Sequence, residues 1–329
     1  MVDRPAISVI VPNRDGLRYL PRAIASVGAA PELEIVVLDD GSTDGSRDWL
    51  THQAQRDSRL RVLVAGGVGP AKSRNLAIGA ARGQLLAFLN ARDCWHSDKL
   101  ATQLRLHRAN TDLAFSFTDY RDVDADGAEL GPGFAAWSGF SARHAGQSAP
   151  FVLEGDALAQ ILAEAVVTTS TVVARTDVVR TLGGFDPDLP STGAWDLWLR
   201  LSARGRVGCV PTVLTDRCIT SGGGLPMSGL PMSGLPIPGT AAAGIAAMRA
   251  QVLGMHMIAA RHAAAAERLN PRAARTFAAR LLSADADLAE AADRRWRAAW
   301  LRLHAWRQAP SRGATRAAAG ALLHAMALV

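Results

Sequence analysis

Leu85-Leu86-Ala87-Phe88-Leu89-Asn90-Ala91-Arg92-Asp93-Cys94-Trp95 is an apolar run that stops abruptly at a polar turn. The run is too short for a helix and suits a strand buried on both faces. In open α/β sheets, ligands bind outside the carboxyl ends of the strands. A ligand is therefore expected at Asn90–Asp93, and the flanking segments decide what kind of sheet presents it.

Working towards the N-terminus, Ala71–Ala81 reads as a helix carrying Lys72, Arg74 and Asn75, preceded by the loop Gly66-Gly67-Val68-Gly69-Pro70. Leu60–Val64 and Leu33–Leu38 read as the third and second strands, and Ala6–Val11, a compact β-branched run closed by Pro12, reads as a buried first strand. Leu17–Val27 has near-helical apolar spacing, with Pro21 tolerated in its first turn. The second strand ends in Asp39-Asp40-Gly41-Ser42-Thr43-Asp44-Gly45-Ser46, where Ser42 or Asp44 can cap the next helix. Alternating strands and helices predict an α/β fold, a mainly parallel sheet flanked by helices on both faces. Right-handed crossovers bring the strand-end loops to one edge.

Beyond Trp95, Leu100–His107 reads as helix. Ala114–Tyr120 and Glu129–Gly131 read as a hairpin around an Asp-Gly turn. Gly131–Pro150 reads as a loop, Ala157–Glu164 as helix, Thr168–Ala174 as strand and Trp195–Leu201 as an amphipathic helix. Gly-Leu-Pro-Met-Ser occurs twice in tandem and then decays, which suits an extended linker over 221–239. Residues 240–329 are rich in Ala and Arg and helical by propensity, and Pro271 and Pro310 divide them into three helices. The expected organisation is a domain over 1–220, a linker, and a C-terminal α-helical extension.

The 329 residues carry a formal charge of +6, with the arginine excess near the C-terminus. Cys94, Cys209 and Cys218 have unpatterned spacings, which suits reduced thiols in a cytoplasmic setting rather than a disulfide frame or zinc site. No signal peptide is visible, and no window of about 20 residues is apolar enough to span a bilayer. Trp296, Ala299, Trp300, Leu303 and Trp306 share one helical face amid Arg294, Arg295, Arg297, Arg302 and Arg307. That pattern suits a peripheral, anionic membrane surface, or packing on the main domain, a second subunit of a homodimer or a protein partner. No nucleic-acid module accompanies the charge. The Gly66–Gly69 loop lacks a phosphate fingerprint, and a hydrolase reading has no nucleophile elbow. Asp122-Val123-Asp124 and Asp124-Ala125-Asp126 sit in the hairpin turn and read as solvated acids.

Five segments, in order, carry a resemblance: Ser8–Gly16, Val37–Ser46, Ala71–Gly83, Ala87–Trp95, and Gly183–Pro190 with Trp195–Leu201. Over residues 6–220 the chain resembles a family 2 glycosyltransferase of the GT-A fold. The resemblance implies a nucleotide-diphosphate sugar, commonly uridine-based (UDP), and transfer to an acceptor that is a glycan, lipid or protein. It places Pro12, Asn13 and Arg14 against the nucleotide, and Asp39 on the uracil with Asp40 beside it. It places Arg74 near the base and diphosphate, and the 90–93 turn at the donor.

Two departures stand out. Where such enzymes carry Asp-x-Asp followed by Asp, this chain has Asn90, Arg92 and Asp93. Asparagine still meets a ribose hydroxyl, whereas arginine stays protonated and cannot ligate a cation. The divalent ion usual in the family (Mn or Mg) would be left with Asp93 alone. Where the family carries Glu-Asp, whose aspartate is the general base, stand Gly193 and Ala194; Asp196 is the remaining candidate base. Losing a base costs about 10²–10⁴-fold in rate. Two readings follow: a nucleotide-sugar-binding transferase with impaired catalysis, or a pseudoenzyme acting as a binding module.

Overall fold

The computed structural model describes residues 5–29, 32–189, 192–219 and 241–326. The linker expected over 221–239 and Pro190 of the Gly183–Pro190 motif lie outside them. The described chain forms two compact units, one from residues 5–157 and 166–219, the other from 158–165 and 241–326.

The first unit begins as the alternation predicts: β1 (Ile7–Asn13), α1 (Leu20–Ser26), β2 (Leu33–Asp40), α2 (Ser46–Ala54), β3 (Leu60–Ala65), α3 (Pro70–Ala80) and β4 (Leu85–Phe88). There follow β5 (Cys94–Trp95), α4 (Lys99–Ala109), β6 (Leu113–Val123), β7 (Glu129–Pro132), α5 (Ser138–Arg143) and β8 (Phe151–Val152). After α6 (Ala157–Ala163), all but its first residue in the second unit, the first unit resumes with β9 (Val173–Arg175), α7 (Thr176–Thr181), α8 (Gly193–Ser202) and β10 (Arg206–Cys218). The sheet order is β3-β2-β1-β4-β9-β6-β10-β5. β1 to β4 are mutually parallel, β9 is antiparallel to both neighbours, and β10 runs parallel to β6. β1 is flanked by β2 on one side and β4 on the other, so the strand order reverses there and opens a crevice at their carboxyl ends. Val9, Val11, Ile35, Val37 and Leu50 are fully buried beneath it in one apolar cluster.

Several expectations change. The stretch 131–150 is not a plain loop: Phe134–Ala136 is a 3-10 turn and α5 follows. Phe134 and Phe140 stack within 5.1 Å of each other and against Phe117, so aromatic burial orders the segment. Thr168–Ala174 opens with a 3-10 turn over Thr169–Thr171 and becomes strand only at Val173. β5 and β10 had no counterpart in the sequence reading. Pro211 interrupts the alternation of β10, and the ladder shifts register between Val210 and Val213, where a proline is tolerated. Helix α2 is capped by neither Ser42 nor Asp44: Gly45 is the cap residue at φ 89°, and Asp44 accepts from the Ser46 amide just inside.

The second unit holds four long helices rather than three: α9 (Ala241–Leu269), α10 (Pro271–Ala291), α11 (Arg295–Gln308) and α12 (Arg312–Met326). The additional break falls at residues 292–294, where Asp293 takes φ 56°. Asn270 caps α10 by accepting from Ala273 N–H, with Pro271 in the first turn. The tryptophan stripe divides. Ala299 is buried and Trp306 donates to Thr315 Oγ1, while Trp296 and Trp300 are more than half exposed. Among the described residues no helix is long and apolar enough to cross a membrane.

Lys99 is fully buried at the start of α4. Its Nζ donates to Gln103 Oε1 at 2.7 Å and lies 4.3 Å from the Trp95 ring centroid. Burial pushes its pKa well below the usual lysine value. The unfolded chain then binds more protons than the folded one between the two pKa values, so stability rises with pH across that interval. Lys99→Met is expected to be more stable than the parent at neutral pH, with the gap closing as pH approaches about 10.4. Urea unfolding of both proteins from pH 7 to 10 checks this.

Candidate functional site

The crevice is walled by the loop after β1, the end of β2, the first turns of α3 and the turn after β4. Asn13 and Asp39 are paired across the β1–β2 ladder and are both buried. Asn13 Nδ2 donates to Asp39 at 3.0 Å and to Ser42 Oγ at 3.2 Å, and Ser42 N–H donates to Asp39. Asp15, at φ 48°, accepts from Thr43 N–H at 2.7 Å and so joins the two loops. Asn13 Oδ1 is buried without a partner, and a Cβ on Gly16 would lie 2.3 Å from it. Only glycine leaves that oxygen room. Pro12 is half-buried beside this pair and Arg14 is exposed at the rim.

Asp40 faces elsewhere. Its carboxylate accepts from the amides of Gly67, Val68 and Gly69 at 2.7–2.9 Å. Burial alone would raise its pKa, but these bonds and one from Ser73 hold it below the usual range. Asp40 thus shapes the 66–69 loop.

On the opposite wall, Arg74 Nη2 donates to Asn90 Oδ1 at 3.0 Å, and its guanidinium lies 5.3 Å from the Phe185 ring centroid. Burial pushes the Arg74 pKa down to about 10, against the pull of Asp93. Asn90 Nδ2 donates in turn to Asp93 Oδ2 at 3.0 Å. Asp93 also accepts from Ser170 Oγ and from Cys218 N–H. Burial raises its pKa, and those bonds oppose the rise. Asn75 holds the Gly183–Phe185 turn against α3 by bonding both the N–H and the C=O of Phe185.

These residues do not fit a divalent cation. Both Asp93 oxygens are occupied by protein donors, the side chain is 3% exposed, and its neighbour is a guanidinium. Among the described residues no three His, Cys, Asp or Glu side chains gather as a metal site. Arg92 lies on another wall, 6.0 Å from the Tyr19 ring centroid, in a cleft shared with Arg18, Arg22, Cys94 and Cys218.

Asp196 is fully buried and bonded to Arg200 Nε at 2.6 Å, while the same guanidinium holds the carbonyls of Leu182 and Gly184. It braces the base of α8 and is not presented to an acceptor. A Cβ at Gly193 would sit 3.2 Å from the Asp186 carbonyl, so that position is cramped, whereas Ala194 is part-exposed.

The expected residues therefore fall into two clusters, Asn13 with Asp39 and Arg74 with Asn90 and Asp93, while Asp40 and Arg92 face elsewhere. Ser170 and Cys218 complete the second cluster and were not anticipated. Ser170 sits in a run that reads as strand, and Cys218 contributes only its backbone N–H.

The parallel β1–β4 half, the order reversal and the crevice at the strand ends define a GT-A nucleotide-sugar transferase fold. Crystal structures of TarS residues 1–349 from S. aureus share it. The complex with UDP superposes with a TM-score of 0.53 at 16% identity over 90% of this chain and 82% of that one. The complex with UDP-GlcNAc gives 0.53 at 16% over 92% and 87%. Residues 8–155 match the family described as Glycosyl transferase family 2. TuaG of Bacillus subtilis, whose name assigns it to teichuronic acid biosynthesis, is 37% identical over 130 residues, 39% of this chain and 51% of TuaG. An uncharacterized glycosyltransferase of Rickettsia felis is 28% identical over 218 residues, 66% of this chain and 33% of that protein. The chain thus spans about half or less of the curated relatives it matches.

Asp40→Ala is expected to release the 66–69 amides and lower stability by about 2–4 kcal/mol, the scale of lost hydrogen bonds to a charged group. Urea unfolding measures it. Because the folded pKa is depressed, the Asp40 contribution is present above the usual carboxylate value and is lost as pH falls through the folded value. The difference between parent and variant should therefore shrink in acid.

Proposed function

We propose that the crevice binds a nucleotide-diphosphate sugar of the UDP class, that no divalent ion takes part, and that glycosyl transfer is impaired. The observation that carries the reading is the chain Arg74–Asn90–Asp93. It places a fixed positive charge beside the donor turn and occupies the one carboxylate left for a metal. Asp39 at the end of β2 supplies the acceptor for the base, Pro12, Asn13 and Arg14 line the nucleotide, and Asn90 meets the ribose. Arg74, with Arg92 from the far side of the turn, offsets the charge of the diphosphate. The UDP and UDP-GlcNAc complexes of TarS, similar in fold, are in keeping with a uridine donor.

Transfer by this arrangement is a direct displacement. The acceptor oxygen bonds to the anomeric carbon, the carbon–oxygen bond to the diphosphate breaks, and the hydroxyl proton must leave to a base. Gly193 and Ala194 accept no proton, and Asp196 is held by Arg200. Turnover is then slower by about 10²–10⁴-fold than with a base in place. The same double loss supports the second reading, a pseudoenzyme that binds the nucleotide sugar or a protein partner without transfer.

The acceptor, a glycan, lipid or protein, belongs to the same proposal, as do the division at 1–220, 221–239 and 240–329 and a cytoplasmic location with free thiols. From Arg294 to Val329 the chain has seven arginines and no acidic residue, and Trp296 and Trp300 stand exposed on α11. A basic, tryptophan-bearing surface of this kind suits peripheral binding to an anionic membrane. A homodimer contact is the other use of the same helices.

Calorimetry with UDP is expected to give binding that manganese leaves unchanged and that Asp39→Ala weakens at least about tenfold, the scale of a lost buried hydrogen bond. Binding strengthened by manganese would overturn the metal-free site. Ala194→Asp, at the roomier of the two substituted positions, is expected to raise turnover of a UDP-sugar if the chain is an impaired transferase. A pseudoenzyme would show no gain.

A further inference from the structure

Beside the crevice lies a cleft that the donor reading uses only through Arg92. Its walls come from the start of α1 (Arg18, Tyr19, Arg22), the 90–93 turn, and the β6–β7 hairpin near Asp124 and Ala125. Its floor is formed by Cys94, Asp216 and Cys218 at the ends of β5 and β10. Three guanidinium groups thus border one concavity. Like charges gathered in this way repel unless an anion joins them.

The acids nearby already have partners of their own. Asp216 is already bonded to Arg121 Nε at 2.7 Å and His96 Nε2 at 2.9 Å. Asp124 accepts from the amides of Asp126 and Ala128 within its own turn. Arg18 reaches Asp126 only at 3.6 Å, with both side chains well exposed, a kind of pair that contributes little. Among the described residues, Arg22 and Arg92 pair with no carboxylate; Arg22 rests against the Cys94 thiol. The guanidinium groups of Arg18 and Arg92 lie 5.4 and 6.0 Å from the centroid of the same Tyr19 ring, which restrains them without consuming their donors. Planar, weakly hydrated and rich in donors, guanidinium groups favour phosphate over other anions.

We propose that this cleft is a phosphate subsite, in which Arg18, Arg22 and Arg92 together bind a phosphate or pyrophosphate group. The group comes either from the donor diphosphate, reaching past the turn, or from a phosphate-bearing acceptor seated next to it. The subsite stands on the cleft residues themselves and does not require the donor reading to hold.

The test is calorimetry on the full chain with inorganic pyrophosphate and, separately, with UDP. The parent protein is compared with Arg18→Gln/Arg22→Gln and with Asp126→Ala. The double variant removes exposed side chains, and equal thermal melting certifies its fold. Pyrophosphate affinity is expected to fall at least about tenfold in it, the scale of one lost charge-assisted hydrogen bond. Asp126→Ala, which removes the carboxylate 3.6 Å from Arg18, is expected to raise that affinity about twofold, the scale of a surface ion pair. If UDP binding falls in parallel in the double variant, the group is the donor diphosphate. If UDP binding is unchanged and pyrophosphate still binds to the UDP-saturated parent, the group belongs to an acceptor. Arginine-dependent pyrophosphate binding with no UDP binding would sink the donor reading and leave the subsite standing. Pyrophosphate binding that is absent in the parent, or unchanged in both variants, overturns the proposal.

Discussion

The buried carboxylate of Asp93 is the joint on which the candidate site depends. It accepts from the side chain of Asn90 three residues before it, from the hydroxyl of Ser170, and from the backbone amide of Cys218. Those partners belong to the turn after β4, the 3-10 turn before β9 and the last residue of β10. An ionised carboxylate out of water is unfavourable unless its lone pairs are filled. Here two of the three donors, from Ser170 and Cys218, are distant in sequence, so the bonds that offset part of the desolvation cost also fix three segments against one another. Ser170 extends the joint: its carbonyl accepts from the Trp95 indole N–H and its hydroxyl from the Asn90 amide.

The rest of this edge follows the same logic of charges satisfied at short range. Arg217 forms two bonds to Asp122 and lies over the Tyr120 ring, while Arg121 and His96 share Asp216. β10, with its displaced register, is thereby fastened to the β6–β7 hairpin by side chains where the ladder is irregular. Carboxylates on this edge are mostly engaged by protein donors, and the cations left over are arginines. Those arginines set the electrostatic character of the crevice and the adjoining cleft, which favours anionic ligands and disfavours a bound cation.

The first half of the sheet was legible in the sequence because each strand there is a short run rich in Val, Ile and Leu closed by polar or glycine residues. Asn13, Asp39, Asn90 and Asp93 lie at or beside strand ends, and they and Arg74, on α3, were singled out by the resemblance to family 2 glycosyltransferases rather than by the strand pattern. What escaped notice is non-local or irregular. Pro211 hid β10, and the aromatic packing of Phe134 and Phe140 turned an apparent loop into helix. Nothing short-range in the sequence announces that Ser170 or the amide of Cys218 will meet Asp93. The break before Arg295 uses an aspartate at positive φ rather than a glycine or proline, which left α10 and α11 looking continuous. Asp40 turns to the 66–69 loop, and of two adjacent aspartates the sequence carries no mark of which way each turns.

That turn of Asp40 has a consequence for how the fold handles phosphate. Glycine-rich loops leading into a helix ordinarily offer their amides to an incoming anion. Here the chain supplies its own anion from the neighbouring strand, and the loop before α3 is self-liganded, closed to solutes by an internal carboxylate. A polyphosphate arriving at this edge finds the backbone nest already filled. Recognition passes from main chain to side chain, and so to positions that single substitutions can add, remove or relocate without disturbing the fold.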